Sequence, residues 1–199
     1  MIEQKIAEIK LNATENHVPI VRDKTIEKII EVIKENDCKQ ILEIGTAVGY
    51  SGIVILSNSS AFLTTIEKNE TRFHQAKANF RACNLESRVC LIEGDAFTEI
   101  ENLSAQKEKF DFIFLDGPKG QYIKYLPFLK ELLNNGGILF ADNILMSGLL
   151  EDESRVNHKN RTMVRNMKAF LDNIQNDEDF KTQIYKIDDG FTISQLIKQ

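Results

Sequence analysis

The segment QILEIGTAVGYSG, residues 40–52, limits what this chain can fold into more than any other part of the sequence. Its apolar half has the length of a β-strand and contains one acidic residue, Glu43, before glycines at positions 45, 49 and 52 interrupt it. Glycine lets the backbone approach a ligand closely, and the first N–H groups of a following helix are free to bind one. The segment therefore predicts a buried strand that leads into a ligand-binding loop.

The glycine spacing argues against one kind of ligand. A dinucleotide-binding turn has the pattern Gly-x-Gly-x-x-Gly, and its second glycine lies against the pyrophosphate. Ala47 occupies that position in this chain. We therefore do not expect a pyrophosphate at this loop.

Apolar runs of strand length alternate with helix-length segments along most of the chain, which predicts an α/β fold with a mainly parallel sheet. Near the carboxyl end, the turn sequence Asp188-Asp189-Gly190 separates apolar runs at residues 182–187 and 191–196 and predicts an antiparallel hairpin. The other predicted strands cover residues 40–45, 62–66, 89–93, 110–115 and 136–141. The predicted helices cover residues 1–13, 23–36, 50–57, 69–84, 121–134 and 161–175.

Length and composition favour a single soluble domain over residues 1–199. The three cysteines, Cys38, Cys83 and Cys90, form no spaced framework and predict reduced thiols in a cytoplasmic protein. No segment has the pattern of a signal peptide or a transmembrane span, so we expect no membrane partner. Because the net charge is −5, a polyanionic partner would need a local basic patch.

Acidic residues follow the second and third predicted strands. Glu67 lies where α/β folds place a carboxylate on ribose hydroxyls, and Asp95 precedes Ala96 in the turn after the third strand. Each acid alone is most simply an ordinary strand-end carboxylate. In this order, however, they predict one crevice at the carboxyl ends of parallel strands, where open α/β sheets bind ligands.

The fourth and fifth predicted strands also end in polar residues, namely Asp116 and the pair Asp142-Asn143. Two carboxylates and an amide oxygen suit Mg²⁺, Mn²⁺ or Ca²⁺. We expect these strand ends at the same rim as the glycine loop. Since three ligands leave positions for water and substrate, they predict a catalytic metal site.

Three short motifs resemble known enzymes. LEIGT, residues 42–46, resembles motif I of class I S-adenosylmethionine-dependent methyltransferases, while DGPKGQY (116–122) and ADNIL (141–145) resemble signatures of the metal-dependent, catechol-type O-methyltransferases. The resemblance implies a Rossmann-like, three-layer α/β/α fold whose seven-stranded, mainly parallel sheet ends in an antiparallel hairpin. It also implies helices over residues 1–36 that cover the site, a homodimer, and methyl transfer from S-adenosylmethionine to a hydroxyl adjacent to a second oxygen.

The resemblance also implies roles for individual residues. Asp116, Asp142 and Asn143 hold the divalent ion in such enzymes, and Lys119, three residues after Asp116, is the base near the accepting hydroxyl, so Lys119 and Asp116 are the implied catalytic residues. Ser51 either caps a helix or reaches the cofactor carboxylate, and Val18 lies either in a segment that closes over the cofactor or in a plain interhelical loop. The implied cofactor contacts are Val18, Glu43, Gly45, Thr46, Tyr50, Ser51, Glu67, Asp95, Ala96 and Asp116.

A basic cluster bears on the identity of the acceptor. On charge pattern alone, a solvated amphipathic helix over 161–175 explains part of it, and contact with nucleic-acid phosphates is the alternative. Residues 142–170 resemble the bacterial branch that includes tRNA 5-hydroxyuridine methyltransferases, which implies an anticodon stem-loop as partner and 5-methoxyuridine as product. The cluster consists of Arg155, His158, Lys159, Arg161, Arg165 and Lys168, of which Arg155, Lys159, Arg161 and Arg165 are the candidate nucleic-acid contacts.

Other functions stay open at this point. A small-molecule O-methyltransferase acting on catechols or hydroxycinnamoyl-type phenols would use the same metal site. A nucleotide-binding dehydrogenase or a non-catalytic S-adenosylmethionine-binding protein would not need the metal ligands or Lys119. Methylation of adenine or cytosine amino groups is disfavoured, because residues 116–119 are DGPK rather than an Asn/Asp-Pro-Pro-aromatic clamp.

Overall fold

The computed structural model describes residues 1–197, so Lys198 and Gln199, which belong to the predicted domain, lie outside the described residues. The chain forms two compact units, one over residues 1–99 and one from residue 100 onward. No helix within residues 1–197 combines the length and the apolar character needed to cross a membrane. The single-domain prediction stays a prediction.

The first unit places three parallel strands beside four helices. Residues Ile41, Leu42 and Ile44 of the first strand are fully buried, as the apolar run predicted. Neighbouring strands are in register at their carboxyl ends, since Ile44 pairs with Ile66 and Glu67 pairs with Glu93. The elements are α1 (Ile2–Glu15), α2 (Asp23–Glu35), β1 (Gln40–Ile44), α3 (Tyr50–Asn58), β2 (Phe62–Glu67), α4 (Glu70–Ala82) and β3 (Val89–Glu93), with a 3₁₀ turn at Glu86–Arg88.

The second unit contains the remaining strands. A helix, α5 (Ala96–Ala105), runs from the first unit into it. Its other elements are β4 (Phe110–Leu115), α6 (Tyr122–Leu132), β5 (Leu133–Asp142), α7 (Arg161–Asn176), β6 (Phe180–Tyr185) and β7 (Phe191–Leu196), with 3₁₀ turns at Lys119–Gln121, Met146–Gly148 and Glu153–Arg155. Strand β4 pairs with β5 in parallel, whereas β7 pairs with both β5 and β6 in antiparallel fashion.

All seven strands belong to one sheet with the order β3-β2-β1-β4-β5-β7-β6. The predicted seven-stranded, mainly parallel sheet with an antiparallel hairpin at its carboxyl end is therefore confirmed. Aromatic side chains fill the interior of the second unit: Phe140 stacks on Phe191 with ring centroids 4.7 Å apart, and Tyr122 meets Phe170 edge to face at 5.4 Å.

The largest differences from the prediction concern helix α6 with strand β5, strand β6 and helix α5. Helix α6 ends at Leu132 and β5 begins at once, because Phe110 pairs with Leu133 before the register shifts. Strand β6 covers residues 180–185 rather than 182–187, since the N–H of Gly190 bonds to the carbonyl of Ile187 and draws residues 187–190 into the turn. Helix α5 was not predicted at all.

Candidate active site

The glycine loop after β1 is held against the end of β2. The N–H groups of Gly45 and Thr46 both donate to the carbonyl oxygen of Ile66, each at 3.1 Å. Gly45 and Gly49 have φ angles of 104° and 84°, which glycine adopts without a steric penalty. A side chain at Gly49 would also press on Phe80, because an added Cβ would lie 3.1 Å from the ring. Both positions therefore require glycine.

Glu67 supports the middle of the same loop. Its Oε2 accepts a hydrogen bond from the N–H of Ala47 at 2.8 Å, and its Oε1 accepts one from the N–H of Asn69 at 2.7 Å. Ala47 has a φ of 48°, an unfavourable angle for a residue with a side chain, so this bond helps to hold the loop in shape. Because a carboxylate offers about four acceptor positions, Glu67 keeps capacity for ligand hydroxyls.

Glu43 and Ser51 lie beneath the loop and bind each other. Ser51 Oγ donates to Glu43 Oε1 at 2.5 Å, and Thr65 Oγ1 donates to Glu43 Oε2 at 2.7 Å. Glu43 is 0% exposed, so its carboxylate faces these hydroxyls inside the unit. Ser51 does not cap α3, because Gly49 is the N-cap residue and no side chain bonds there. A cofactor contact by Glu43 or Ser51 stays a prediction.

Tyr50 is tied to the N-terminal helices. Its phenol interacts electrostatically with Lys10 of α1, which also forms an ion pair with Asp23 at the start of α2. Burial raises the pKa of the Tyr50 phenol, although Lys10 opposes the shift. Val18 is half-buried just after α1, and its N–H donates to the carbonyl of Ala13 at 2.8 Å. These contacts do not decide whether Val18 closes over the cofactor or lies in a plain interhelical loop.

Asp95 caps helix α5. Its Oδ1 accepts from the N–H of Phe97 at 3.1 Å, and its Oδ2 lies 2.9 Å from Lys68 Nζ. The hydrogen bond from Lys68 is the largest influence that lowers the pKa of Asp95. Ala96 is the half-buried first residue of α5. An aspartate before a helical segment is the signal that could have revealed α5 in the sequence.

In the second unit, the ends of β4 and β5 bring the predicted metal ligands together. Leu115 pairs with Ala141, so Asp116 and Asp142 follow at neighbouring strand ends. Asp142 is only 2% exposed, whereas Asp116 and Asn143 are half-buried. The two carboxylates and the amide therefore come from one edge of this pair of strands, as the sequence predicted.

The electrostatics of this pair favour a cation. The pKa of Asp142 is raised to about 7, first because burial disfavours its charge and then because Asp116 is also negative. The N–H of Asn143, which donates to Asp142 Oδ1 at 2.7 Å, and Lys119 offset part of this effect. Residues 1–197 contain no group of three or more His, Cys, Asp or Glu side chains suited to a metal, so the predicted metal site stays a prediction. The donor chemistry fits a hard divalent cation.

Lys119 lies in the 3₁₀ turn that follows β4. Its Nζ is 2.6 Å from Asp116 Oδ1 and 3.0 Å from the hydroxyl of Tyr122. Burial lowers the pKa of Lys119, but the phenol and the carboxylate together raise it more, so the net shift is upward. This upward shift opposes the role of base that the resemblance implies, and that role stays a prediction.

The turn between β6 and β7 is hydrogen-bonded to the loop that follows the predicted metal ligands. The N–H of Ser147 donates to Asp189 Oδ1 at 2.6 Å, and the N–H groups of Ile144 and Leu145 donate to the carbonyls of Gly190 and Asp189. Asn143, Met146 and Ser147 have φ angles of 55°, 52° and 56°, so the loop is strained. The pattern Asp188-Asp189-Gly190 predicted a turn, but it did not predict that this turn would hold the loop after the metal ligands.

Part of the basic cluster lies on the helix that packs against the turn of Lys119. Asn166 of α7 donates its side-chain N–H to the carbonyl of Gly120 at 2.8 Å, and Met163 would lie 3.7 Å from a Cβ at Gly120. Arg161 and Arg165 are exposed on another face of α7, and neither is paired with a described residue.

The remaining basic residues differ in their exposure and in their contacts. Arg155 is exposed, and its Nη1 donates to the carbonyl of Ser147 at 2.9 Å, so this side chain also braces the loop after the metal ligands. His158 and Lys159 are exposed between the 3₁₀ turn and α7. Lys168 is half-buried and engaged with other groups. The structure therefore leaves Lys159, Arg161 and Arg165 as the candidate nucleic-acid contacts with fully available side chains.

The fold and these residues place the chain in the class of Rossmann-like methyltransferases, and comparison with known proteins gives its family. A family model described as O-methyltransferase matches residues 4–197, and the chain belongs to this family. The O-methyltransferase ankF of Aspergillus thermomutatus is 30% identical over 68% of this chain and 59% of its own length, so the match covers less than two thirds of that relative.

Solved structures agree with this assignment. One of them is a Staphylococcus aureus protein provisionally assigned as a caffeoyl-CoA O-methyltransferase, which is 35% identical to this chain. The superposition covers 96% of this chain and 91% of the S. aureus chain, with a TM-score of 0.89. An O-methyltransferase from Bacillus cereus, solved with S-adenosylhomocysteine (SAH), is 23% identical, covers 97% and 90% of the two chains, and has a TM-score of 0.87. The family model therefore confirms that the chain is an O-methyltransferase by family, and the structural neighbours confirm the fold.

Proposed function

We propose that this protein is a divalent-metal-dependent O-methyltransferase that moves the methyl group of S-adenosylmethionine to a hydroxyl adjacent to a second oxygen. The observation that carries the proposal is the pairing of Asp116 with the buried Asp142 at neighbouring strand ends, with Lys119 bonded to Asp116. Such an acidic pair is unfavourable on its own and is stabilised by a bound cation.

The first unit supports S-adenosylmethionine as methyl donor. Its glycine loop leads directly into the N-terminus of α3, where backbone N–H groups can bind an anionic group, and Glu67 keeps acceptor positions that suit ribose hydroxyls. The loop lacks the second glycine that a pyrophosphate requires, which disfavours a dehydrogenase. The Bacillus cereus neighbour, whose complex contains the demethylated form of this donor, is consistent with the proposal.

The residues of the second unit suit the chemistry of the transfer. Asp116, Asp142 and Asn143 would hold the ion, which when bound lowers the pKa of an acceptor hydroxyl and orients it through the second oxygen. In the reaction the acceptor oxygen bonds to the methyl carbon, while the carbon–sulfur bond breaks and leaves its electron pair on sulfur. The hydroxyl proton passes to a base, for which Lys119 is the candidate.

We favour 5-hydroxyuridine in a tRNA anticodon as acceptor, because its O4 and 5-hydroxyl are adjacent oxygens. Arg161 lies in the first turn of α7, where a cation is unfavourable, and Arg165 repeats the charge one turn later. Neither side chain forms an ion pair within the described chain, so the two positive charges lower the stability of the helix. Contacts with phosphate groups would offset this loss. The helix also packs on the turn that carries Lys119.

A small phenolic acceptor is the alternative. It is favoured by the names of relatives, among them the caffeoyl-CoA O-methyltransferase of Stellaria longipes, 29% identical over 55% of this chain and 48% of its own length. In that case Arg161 and Arg165 belong to a solvated helix face. A non-catalytic S-adenosylmethionine-binding protein is the remaining candidate, and it would need neither Lys119 nor the acidic pair.

One competition assay separates these functions. Labelled S-adenosylmethionine is supplied with 5-hydroxyuridine-containing tRNA and catechol together, in Mg²⁺ or in EDTA, and tRNA lacking the 5-hydroxyl serves as control. We expect metal-dependent label in 5-methoxyuridine. Label in catechol alone would assign the small-molecule function. Cofactor binding without transfer to either acceptor would contradict the tRNA proposal and favour the binding protein.

A further inference from the structure

Tyr122 is a fully buried residue at the end of the DGPKGQY motif, and no role was predicted for it. It is the first residue of α6, three positions after Lys119, and it is 0% exposed. Its hydroxyl lies 3.0 Å from Lys119 Nζ, 3.0 Å from the carbonyl oxygen of Leu115 and 3.3 Å from the carbonyl oxygen of Asp142. One phenol therefore contacts the lysine and the main chain at both strand ends that carry the acidic pair.

The direction of these hydrogen bonds follows from the number of protons. A carbonyl oxygen can only accept, so the single phenolic proton of Tyr122 must point toward Leu115 or Asp142. At Lys119 the same oxygen can then only accept, and the ammonium donates to it. Lys119 therefore has two defined acceptors, the Tyr122 hydroxyl and Asp116 Oδ1 at 2.6 Å.

The phenol is also rigidly held. Its ring meets Phe170 of α7 edge to face, with centroids 5.4 Å apart and planes at 76°. Lys119 Nζ lies 5.4 Å from the centroid of the Tyr122 ring as well. A long, flexible lysine side chain is thus fixed by a group that cannot move independently of β4, β5 and α7.

We infer that Tyr122 is a positioning residue, which fixes the amino group of Lys119 relative to the ends of β4 and β5. The inference rests on the proposed function, in which Lys119 acts near the acceptor hydroxyl. Tyr122 does not touch the reacting atoms but acts through Lys119. Small displacements of a reacting group are costly in rate, which gives such positioning its value.

The test is Tyr122→Phe, which keeps the ring and removes only the hydroxyl. Tyr125→Phe is the matched control, because Tyr125 is also buried and lies one turn along α6. We expect Tyr122→Phe to lower kcat by about tenfold with little change in KM, and Tyr125→Phe to keep kcat. In a Lys119→Ala background, Tyr122→Phe should have no further effect on kcat, since the group it positions is gone.

Crystal structures of both variants provide a readout without turnover. We expect Lys119 Nζ to leave its position in Tyr122→Phe and to keep it in Tyr125→Phe. An unmoved Nζ, a wild-type kcat, or an equal loss of kcat with and without Lys119 would each overturn the inference. An unmodified protein that transfers no methyl group to any acceptor would instead overturn the proposed function, while the position of Nζ would still test the role of Tyr122.

Discussion

The N–H of Ala47 donates to Oε2 of Glu67 across 2.8 Å, although the two residues are 20 positions apart in the chain. The acid at the end of β2 thus holds the loop that follows β1. Because the same carboxylate is the proposed ligand of the ribose hydroxyls, loop shape and cofactor binding depend on one side chain.

Replacing Glu67 with glutamine should weaken S-adenosylmethionine binding by about tenfold or more, because the amide keeps one acceptor oxygen and turns an NH₂ group toward a backbone N–H. Isothermal titration calorimetry measures the change. Glu93→Gln is the matched control, since Glu93 is exposed and pairs with Glu67 in the register of β2 and β3. Equal affinities for the two variants would remove Glu67 from the cofactor site.

Lys119→Ala should reduce turnover by roughly 10²–10⁴-fold, the usual range for a lost acid–base group. Cofactor affinity should stay nearly unchanged, because the predicted cofactor loop is built by residues of the first unit. Steady-state kinetics and calorimetry measure the two quantities. Lys124→Ala, an exposed lysine on α6, is the control. A Lys119→Ala variant with an unchanged rate would show that this lysine takes no part in the mechanism.

The stability of the metal-free protein should fall as pH rises from about 4 to about 7. The pKa of Asp142 is about 7 in the folded protein against an ordinary value of 3.8, so in this window the native state binds a proton that the unfolded chain has released. The loss amounts to at most about 4 kcal/mol and levels off above pH 7.

Urea unfolding in EDTA between pH 5 and pH 8 measures this dependence. Asp142→Asn should give a flatter profile, and Asp172→Asn, an exposed residue of α7, should not alter it. A profile for Asp142→Asn as steep as that of the unmodified protein would assign the pH dependence to other groups.

Replacing both Arg161 and Arg165 with alanine should raise the KM for tRNA and reduce its salt dependence. The slope of log affinity against log salt should become shallower by roughly 1–2, while methylation of catechol, if present, is unchanged. Lys77→Ala with Arg81→Ala is the matched control, because both residues are exposed and have the same four-residue spacing on α4. If the α7 substitutions leave the affinity for tRNA unchanged, either tRNA binds another surface of the protein or tRNA is not the acceptor.

The succession of strands along the chain and the positions of their polar ends could be predicted because both depend on local patterns. The apolar run before Gly45 and the acids at 116 and 142 are visible along the chain itself, and a parallel sheet brings such ends to one edge. Helix α5 was missed because its main signal is one capping aspartate, Asp95.

The partners of these side chains could not be predicted in the same way. Glu43 was expected at the cofactor, yet both of its oxygens bond to buried hydroxyls, because β1 and β2 pair Glu43 directly with Thr65. The hydrogen bond from Ser147 to Asp189 joins residues 42 positions apart, and no local pattern announces such a contact. Interactions of this kind depend on register and packing that only the folded chain provides.

The two faces of helix α7 are under different structural constraints. The inner face, through Met163 and Asn166, must fit the turn of Lys119, so few substitutions are tolerated there. On the outer face, the side chains of Arg161 and Arg165 contact no described residue, so substitutions at these two positions leave the packing of α7 unchanged. A lineage with this architecture can therefore evolve toward new acceptors by surface mutation while the machinery beneath is inherited intact, which is one route by which a single fold comes to serve unlike substrates.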